Sequence, residues 1–386
     1  MTPRLYRSVV ALAVIALTSP AILVASRPAF AQQAATTQAP VAASRLPSRL
    51  TDREFWRLST DFSEPGGFFR FENFLSNEGS FQAVVPQLQR TVKPATVYFG
   101  VGPEQNFTYI AELRPSIAFI FDIRRGNLQE HLLYKALFEL SADRAEFVSR
   151  LFSKPRPAQL DSTVTVDSIF NAFWFVPTDS AFHQRNLAAV RNHLVKQHGL
   201  ALSPDDLTGI DYVYNTFYYA GPRIDYSYPN SSNGWTPTYA DLMVANDGAG
   251  VQRSFLSTET RYQFVKDLQA RNLIVPIVGD FGGPKAIRAV GAYVKEHGGT
   301  VSAIYASNVE QYLFQSGDAW RRYYESVATL PLDSTSTFIR SVGSLGSRSG
   351  GGFPRLPSVL SSVQSIVAAY RDGRITSYYD VIQLSR

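Results

Sequence analysis

The stretch VYFGVGPEQNFTYI, residues 97–110, decides the fold. Its apolar start breaks at Gly100 and Gly102, and a helix-like pattern follows. A second apolar run, FIFDIRR at residues 119–125, ends on the acidic residue Asp122. Two buried strands joined by a helix are typical of parallel strands with a right-handed crossover. The stretch therefore predicts the first unit of a parallel α/β sheet.

The same alternation of strand and helix returns late in the chain. NLIVPIVGDFGG at 272–283 reads as a strand that ends in a Gly-rich turn, and 284–299 reads as a helix with Pro at its start and Gly past its end. We therefore predict an α/β fold with a doubly wound, mostly parallel sheet of the Rossmann-like type. The predicted strands are 96–101, 117–123, 273–279 and 300–306, and the predicted helices are 103–113, 129–152, 181–198, 257–271, 284–299 and 357–370.

The first 31 residues have the three parts of a signal peptide. Arg4 and Arg7 form the basic end, an apolar core follows, and the small-x-small sequence AFA predicts cleavage after Ala31. We expect an exported protein, periplasmic or secreted, with no stable membrane insertion after cleavage. An uncleaved anchor is the alternative, although the apolar core is short for a membrane span and is interrupted by Pro.

The mature chain is predicted to be one domain with an extension before it. Residues 32–48 are small, polar and dotted with Pro, which is typical of a disordered tether. Residues 49–386 form the predicted Rossmann-like domain. An irregular, Tyr-rich insertion occupies about 160–256 within it.

Charge and composition exclude several classes of protein. Removal of the signal peptide leaves 34 basic residues against 32 acidic ones, so we expect no nucleic-acid partner. The chain has no cysteine, which excludes disulfides and thiolate metal sites. Neither a Gly-x-Ser-x-Gly nor a His-Glu-x-x-His motif occurs, and this disfavours the commonest hydrolases.

Gly100 and Gly102 would let the backbone approach a ligand closely. Asp122 follows Gly102 by 20 residues, at the end of the second strand, where an acid can bind ribose hydroxyls. A plain tight turn with a solvated acid is the alternative interpretation. Glu104 would lie in the first turn of the helix and repel a phosphate, which disfavours the dinucleotides NAD and FAD. It would suit a ligand with a cationic or hydroxyl-rich part, so we assign Glu104 to the cofactor site as well.

These strands and turns resemble the core of class I S-adenosylmethionine-dependent methyltransferases. The resemblance implies that Gly100 and Gly102 pass the methionine part of S-adenosylmethionine and that Asp122 binds its ribose. The chain differs from that family at Tyr98, where the family has an acid, and at Glu104, where it has a third Gly. The chain also resembles a group of bacterial proteins that share GVGPEQNFTYI, DIRRGN and SNVEQYLF, which supports the fold and not a reaction.

Polar residues after the later strands are candidates for the same site. Asp280 would contribute to the cofactor site, and Asn308 and Glu310 to a substrate site, because parallel strands end at one edge of the sheet. Tyr218 and Tyr219, in the Tyr-rich segment, could wall the substrate pocket. Turn capping and ordinary core packing are the alternatives for these five residues.

The histidines give no metal-spaced pair in the sequence. His193 and His198 are five positions apart and should diverge on an α-helix. We therefore expect no metal site. We predict that all five histidines lie at the surface: these two and His131, His183 and His297.

Two functions remain after this comparison of residues. The first is an exported methyltransferase-like protein that binds S-adenosylmethionine and a small polar or aromatic substrate. The second is a non-catalytic exported protein that binds another small ligand, which export favours because S-adenosylmethionine is a cytoplasmic metabolite. The sequence leaves the oligomeric state open.

Overall fold

The apolar runs of the sequence form one six-stranded sheet in a computed structural model, which describes residues 45–229, 236–342 and 357–385. The strand order is β3-β2-β1-β4-β5-β6, and only β6 runs antiparallel to its neighbour. The four predicted strands are confirmed as parallel neighbours β1 to β4. The strands are β1 (Val97–Val101), β2 (Ile117–Asp122), β3 (Ile274–Val278), β4 (Val301–Ser307), β5 (Thr337–Ser341) and β6 (Ser358–Ser362).

Helices connect and cover these strands. The α-helices of the described residues are α1 (Asp52–Asp61), α2 (Val85–Thr91), α3 (Gln105–Leu113), α4 (Arg125–Leu140), α5 (Arg144–Leu151), α6 (Val166–Trp174), α7 (Ser180–Asn192), α8 (Pro204–Ala220), α9 (Tyr239–Val244), α10 (Glu259–Ala270), α11 (Ala286–Glu296), α12 (Val309–Leu313), α13 (Ala319–Val327), α14 (Val363–Arg371) and α15 (Tyr378–Gln383). A π-helical turn, His193–Gln197, follows α7 directly.

Both faces of the sheet carry helices. Adjacent residues of a strand point to opposite faces. The ring of Tyr98 in β1 lies 6.5 Å from that of Tyr109 in α3. The next residue, Phe99, packs on Phe119 of β2, which in turn contacts Tyr293 of α11 at 5.9 Å between ring centroids. Helix α3 therefore covers one face and α11 the other.

Two helix predictions were wrong in part. The predicted helix 129–152 is two helices, α4 and α5, because Asp143 caps a new helix by accepting the backbone N–H of Glu146. The predicted helix 357–370 begins with strand β6, which pairs along the whole of β5. Only after β6 does the Ser362 side chain cap α14, by accepting the N–H of Ser365.

The predicted insertion is helical and packs on the sheet layer through α8. The N-terminus of α8 has a capping box, in which Ser203 and Asp206 bond each other's backbone N–H. Asp206 also accepts two hydrogen bonds from Arg125 of α4, at 2.7 and 2.8 Å. A bidentate pair of this kind fixes one helix on the other.

The predicted signal peptide lies outside the described residues, and so does the predicted tether up to residue 44. The last part of that tether contacts the domain, because the N–H of Arg45 donates to the carbonyl of His297 at 2.8 Å. Arg271 likewise donates to the carbonyl of Ser48. Along the described part of the chain, no helix combines the length and apolar character that a membrane crossing requires.

Candidate functional site

A cavity of about 350 Å³ lies at the carboxyl ends of β1 to β4. Four of the predicted site residues line it: Gly102, Asp122, Asp280 and Asn308. The register of the sheet explains this, because Val101 of β1 is level with Phe121 of β2. The strand order reverses between β1 and β4, which is where an open α/β sheet leaves a crevice for a ligand.

Gly102 forms the floor of the cavity with an unusual backbone. Its φ is +75°, a left-handed conformation that glycine adopts without strain. Its N–H donates to the carbonyl of Phe121 at 3.1 Å. A Cβ added at Gly102 would meet nothing within 4 Å, so the position opens onto free space. A ligand can therefore approach the backbone here.

Asn106 holds the turn around Gly102 in place. Its Nδ2 donates to the carbonyls of Val101, Gly102 and Pro103 at 3.0, 3.1 and 2.7 Å. A Cβ at Gly100 would lie 1.8 Å from the Asn106 Oδ1. Any larger residue at position 100 would therefore clash with the Asn106 side chain. Gly100 does not line the cavity, which corrects its predicted place in the ligand site.

His131 of α4 also holds the turn at Gly102 in place. Its Nε2 lies 2.8 Å from the carbonyl oxygen of Gly102. Burial lowers the pKa of His131 to about 4, so the ring is neutral at pH 7 and its Nε2–H donates to that carbonyl. This histidine is buried, as are His183 and His193, so the prediction of surface histidines was wrong for these three.

Asp122 presents a carboxyl group at the rim of β2. Burial raises its pKa, and the nearby Arg124 partly offsets that effect. Its Oδ1 accepts the backbone N–H of Arg124 at 2.8 Å. Within the described residues no hydrogen bond reaches Oδ2, which leaves this atom for a ligand in the cavity that Asp122 lines.

An N-terminal segment, residues 64–78, crosses the carboxyl edge of the sheet and closes the cavity. Glu64 begins it, and its Oε1 accepts the N–H groups of Lys285 and Ala286 at 2.7 and 2.9 Å, at the start of α11. Its Oε2 accepts the N–H of Asp280 at 3.1 Å. A protein carboxylate therefore fills the helix N-terminus that would otherwise receive a ligand phosphate.

Aromatic side chains form the outer wall of the cavity. Phe69 and Tyr312 meet edge to face, with ring centroids 5.2 Å apart. Tyr226 from the Tyr-rich insertion and Phe281 from the loop after β3 complete this wall, and both line the cavity. The site can thus hold a flat ring against aromatic faces.

Glu78 lies on the same wall within a buried network. Its Oε1 accepts the hydroxyls of Tyr305 and Ser307, and its Oε2 accepts Gln105 Nε2 at 3.0 Å. Burial raises the pKa of Glu78, against the lowering effect of these hydrogen bonds. No sequence pattern indicates Glu78, because it is a single acid in a short loop.

The cavity is lined by carboxylic acids and by no basic side chain of the described residues. Its lining contains the carboxyl groups of Glu78, Asp122 and Asp280, and no Lys or Arg of the described chain is among the lining residues. Such a wall offers a phosphate no basic partner, whereas its carboxyl oxygens can accept hydrogen bonds from hydroxyl groups.

Glu104 does not line the cavity but lies buried at the N-cap position of α3. Its Oε1 is 3.4 Å from the backbone nitrogen of Ser76, and its Oε2 has no hydrogen-bond partner among the described residues. Burial raises the pKa of Glu104 to about 8, so this group is mostly uncharged at pH 7. The prediction that the charge of Glu104 repels phosphate is therefore corrected.

Three predicted substrate residues lie elsewhere. Glu310 forms a fully buried ion pair with Arg340 and accepts the hydroxyl of Tyr324 at 2.6 Å. Tyr218 stacks on His183 with ring centroids 4.2 Å apart, and Tyr219 is 73% exposed. Helix α8 carries both tyrosines along α4. Among the described residues of the insertion, Tyr226 is the one that lines the cavity.

His193 and His198 converge, contrary to the prediction that they diverge. The π-helical turn links the carbonyl of His193 to the N–H of His198 at 3.0 Å. This wider turn places residues five apart on one face. The two Nε2 atoms lie 3.2 Å apart, and each is 2.8 Å from Oε2 of Glu139.

The fold and the cavity together define a mixed α/β protein with a ligand-sized site at the carboxyl edge of a mostly parallel sheet. The chain belongs to the family described as Domain of unknown function (DUF7790), whose model matches residues 73–167 and 171–365. These ranges include Gly102, Asp122 and Asp280. No protein of curated function matches the chain.

Proposed function

We propose that the cavity binds an adenosine-bearing ligand of the S-adenosylmethionine type and that the protein is a methyltransferase-like enzyme acting outside the cytoplasm. The strand order β3-β2-β1-β4-β5 supports a Rossmann-like arrangement, in which the ligand lies across the β1/β4 crevice. The cavity occupies that position.

One observation carries the proposal: Gly102 and Asp122 lie side by side on the wall of a cavity that, among the described residues, has three carboxyl groups and no Lys or Arg in its lining. In this proposal Asp122 Oδ2 accepts the ribose hydroxyls, and the open backbone at Gly102 lies against the methionine part. Each charge-assisted hydrogen bond to the ribose contributes about 1.5–3 kcal/mol.

The acidic lining also favours one cofactor class over another. A pyrophosphate would face Glu78, Asp122 and Asp280 without a basic partner, and Glu64 already fills the N-terminus of α11. A sulfonium cation is attracted by carboxylates and by aromatic faces such as those of Tyr312 and Tyr226. S-adenosylmethionine thus fits this wall better than NAD or FAD.

Methyl transfer needs mainly the in-line placement of two reactants. The aromatic outer wall is where we place a small polar or aromatic substrate, with Asn308 at its edge. A non-catalytic binding protein is the second candidate, because the predicted export signal separates the protein from the cytoplasmic source of S-adenosylmethionine.

Calorimetric titration of the mature chain with S-adenosylmethionine, S-adenosylhomocysteine and NAD tests the proposal. We expect the first two to bind and NAD not to bind. Asp122→Ala should weaken binding at least tenfold. Asp247→Ala is the control, since Asp247 is similarly buried and accepts the N–H of Ala249, two residues later in the chain, at 2.9 Å, yet does not line the cavity.

Absence of binding at millimolar concentration for all three compounds would reject the adenosine-type ligand and favour the second candidate. Export is tested separately, by intact-mass measurement of protein recovered outside the cytoplasm. The mature chain should begin at Gln32.

A further inference from the structure

A cluster of possible metal ligands lies far from the cavity. It consists of Glu139 on α4 and of His193 and His198 at the two ends of the π-helical turn. Lys135 links the cluster to the sheet: its Nζ donates to Glu139 Oε1 at 2.6 Å and to Oδ1 of Asn272 at 2.5 Å. Asn272 lies two residues before the first residue of β3. The cluster is therefore at the amino end of the sheet, opposite the cavity.

The three ligand atoms converge as they do around a tetrahedral metal. His193 Nε2 and His198 Nε2 lie 3.2 Å apart, and each lies 2.8 Å from Glu139 Oε2. Around a tetrahedral Zn²⁺ with bonds of about 2.0–2.1 Å, ligand atoms are separated by about 3.3 Å. Shifts of about half an ångström would bring all three atoms to that spacing.

The other nitrogen of each ring is already bound. His198 Nδ1 lies 2.6 Å from Oδ1 of Asp52, and His193 Nδ1 lies 2.5 Å from Oε1 of Gln197. A histidine that binds a metal usually donates its second N–H to such an acceptor, which fixes the tautomer and aims the free lone pair. In the neutral rings, both Nε2 lone pairs then point at one place, next to a carboxylate.

Without a cation, that arrangement is unfavourable for neutral histidines, because two lone pairs and a carboxylate oxygen would face one another. Lys135 does not fill the space, since its Nζ is bound to the other oxygen, Oε1, at 2.6 Å. The side chains of Glu139, His193 and His198 remain 10–12% exposed, so an ion can enter from solvent.

We propose that Glu139, His193 and His198 bind a Zn²⁺ ion through Oε2, Nε2 and Nε2, with a water molecule as the fourth ligand. Two imidazoles with one carboxylate suit zinc, whereas Mg²⁺ and Ca²⁺ prefer oxygen ligands alone. The ion joins α4 to the end of the insertion helix α7. Through Asp52, it also positions the start of α1.

The proposal is tested on the untagged mature protein after removal of metals with a chelator. Calorimetric titration with Zn²⁺ should give one ion per chain with a Kd of about a micromolar or below. Co²⁺ in place of zinc should give the intense visible absorption of tetrahedral cobalt. Zinc should also raise the thermal midpoint of the wild type, because it binds the folded chain.

Variants assign the ligands. His193→Ala and Glu139→Gln should abolish stoichiometric binding, and Asp52→Asn should weaken it about 10–100-fold, as loss of a histidine-orienting group does. His297→Ala is the matched control and should bind as the wild type does, because the ring of His297 lies against Tyr293 and bonds the Tyr293 carbonyl in its own helix turn, and it is not part of the cluster.

Absence of stoichiometric Zn²⁺ binding to the wild type at 100 times the expected Kd, about 100 micromolar, would overturn the proposal. So would binding that survives His193→Ala. If that variant fails to fold, the wild-type cobalt spectrum decides, since a spectrum of six-coordinate cobalt also rejects the site. If the cluster is instead held together by protonated histidines that donate to Glu139, the protein would show neither stoichiometric Zn²⁺ binding nor the tetrahedral cobalt spectrum.

Discussion

His131 Nε2 donates to the carbonyl oxygen of Gly102 at 2.8 Å, and this bond joins helix α4 to the floor of the cavity. The same carbonyl accepts Asn106 Nδ2 at 3.1 Å. The turn that presents Gly102 is thus held from two helices. Its shape depends on residues that do not line the cavity.

The variant His131→Leu should loosen this turn. We expect ligand binding to weaken about threefold to tenfold and the free energy of unfolding to fall by about 0.5–1.5 kcal/mol, the usual loss for one hydrogen bond. Titration calorimetry and urea denaturation measure the two effects. His183→Leu is the control, since His183 is equally buried and hydrogen-bonded but lies in the insertion. Unchanged ligand affinity in His131→Leu would contradict a positioning role.

Gly102→Ala should weaken ligand binding more than it destabilises the protein. A side chain in the left-handed conformation costs about 1–2 kcal/mol, and the new methyl group would also enter the cavity. Gly199→Ala provides a matched control: its φ is +63°, and a Cβ there likewise meets nothing within 4 Å. The two variants should lose similar stability in urea, and only Gly102→Ala should lose affinity. Equal affinities would show that the ligand does not approach this backbone.

The sequence was sufficient to predict the four central strands of the sheet and the residues along one edge of the cavity. Continuous apolar runs indicate strands buried on both faces, and Gly102, Asp122, Asp280 and Asn308 follow such runs. The carboxyl ends of parallel strands must meet at one edge, which explains why these four residues lie together. Strand β6 was missed because its short run becomes a strand only by pairing with β5.

The rest of the site depends on contacts that no local pattern encodes. Glu78 reaches the cavity because the segment 64–78 folds across the sheet, and His131 because α4 passes beneath the Gly102 turn. Glu310 was assigned to the site by its position after a strand, although its ion pair with Arg340 turns it inward. The histidine cluster escaped prediction because α-helical spacing does not hold in a π-helical turn.

Glu310→Ala should destabilise the fold without changing ligand affinity. The pair with Arg340 is 99% buried on both sides, so removal of Glu310 leaves an unpaired buried cation and should cost about 3–5 kcal/mol. The double variant Glu310→Leu/Arg340→Met should recover much of that loss, because apolar side chains of similar size need no partner. Urea denaturation of the three proteins measures this. A double variant no more stable than Glu310→Ala would show that the ion pair itself is needed.

Glu104 should make stability fall as the pH rises. Its pKa is raised by burial from 4.5 to about 8, so between these values the folded chain keeps a proton that the unfolded chain has lost. The stabilisation is complete below about pH 4.5 and is lost as the pH rises through 8, by about 1.4 kcal/mol per pH unit. Burial also raises the pKa of nearby Glu130 well above its usual range, so Glu130 changes stability with pH in the same direction as Glu104.

Urea denaturation of the wild type and of Glu104→Gln at pH 5, 6, 7 and 8 isolates this group, because other titrating residues cancel in the difference. The variant should equal the wild type near pH 5 and become progressively more stable than it toward pH 8. Glu54→Gln is the control. The pKa of Glu54 is lowered, chiefly by its bond to the backbone of Thr51, so its stabilisation is already complete above pH 5 and its difference from the wild type should stay constant. A constant difference for Glu104→Gln as well would mean that Glu104 is charged in the folded protein, and its unpaired Oε2 would then require a partner that the fold does not supply.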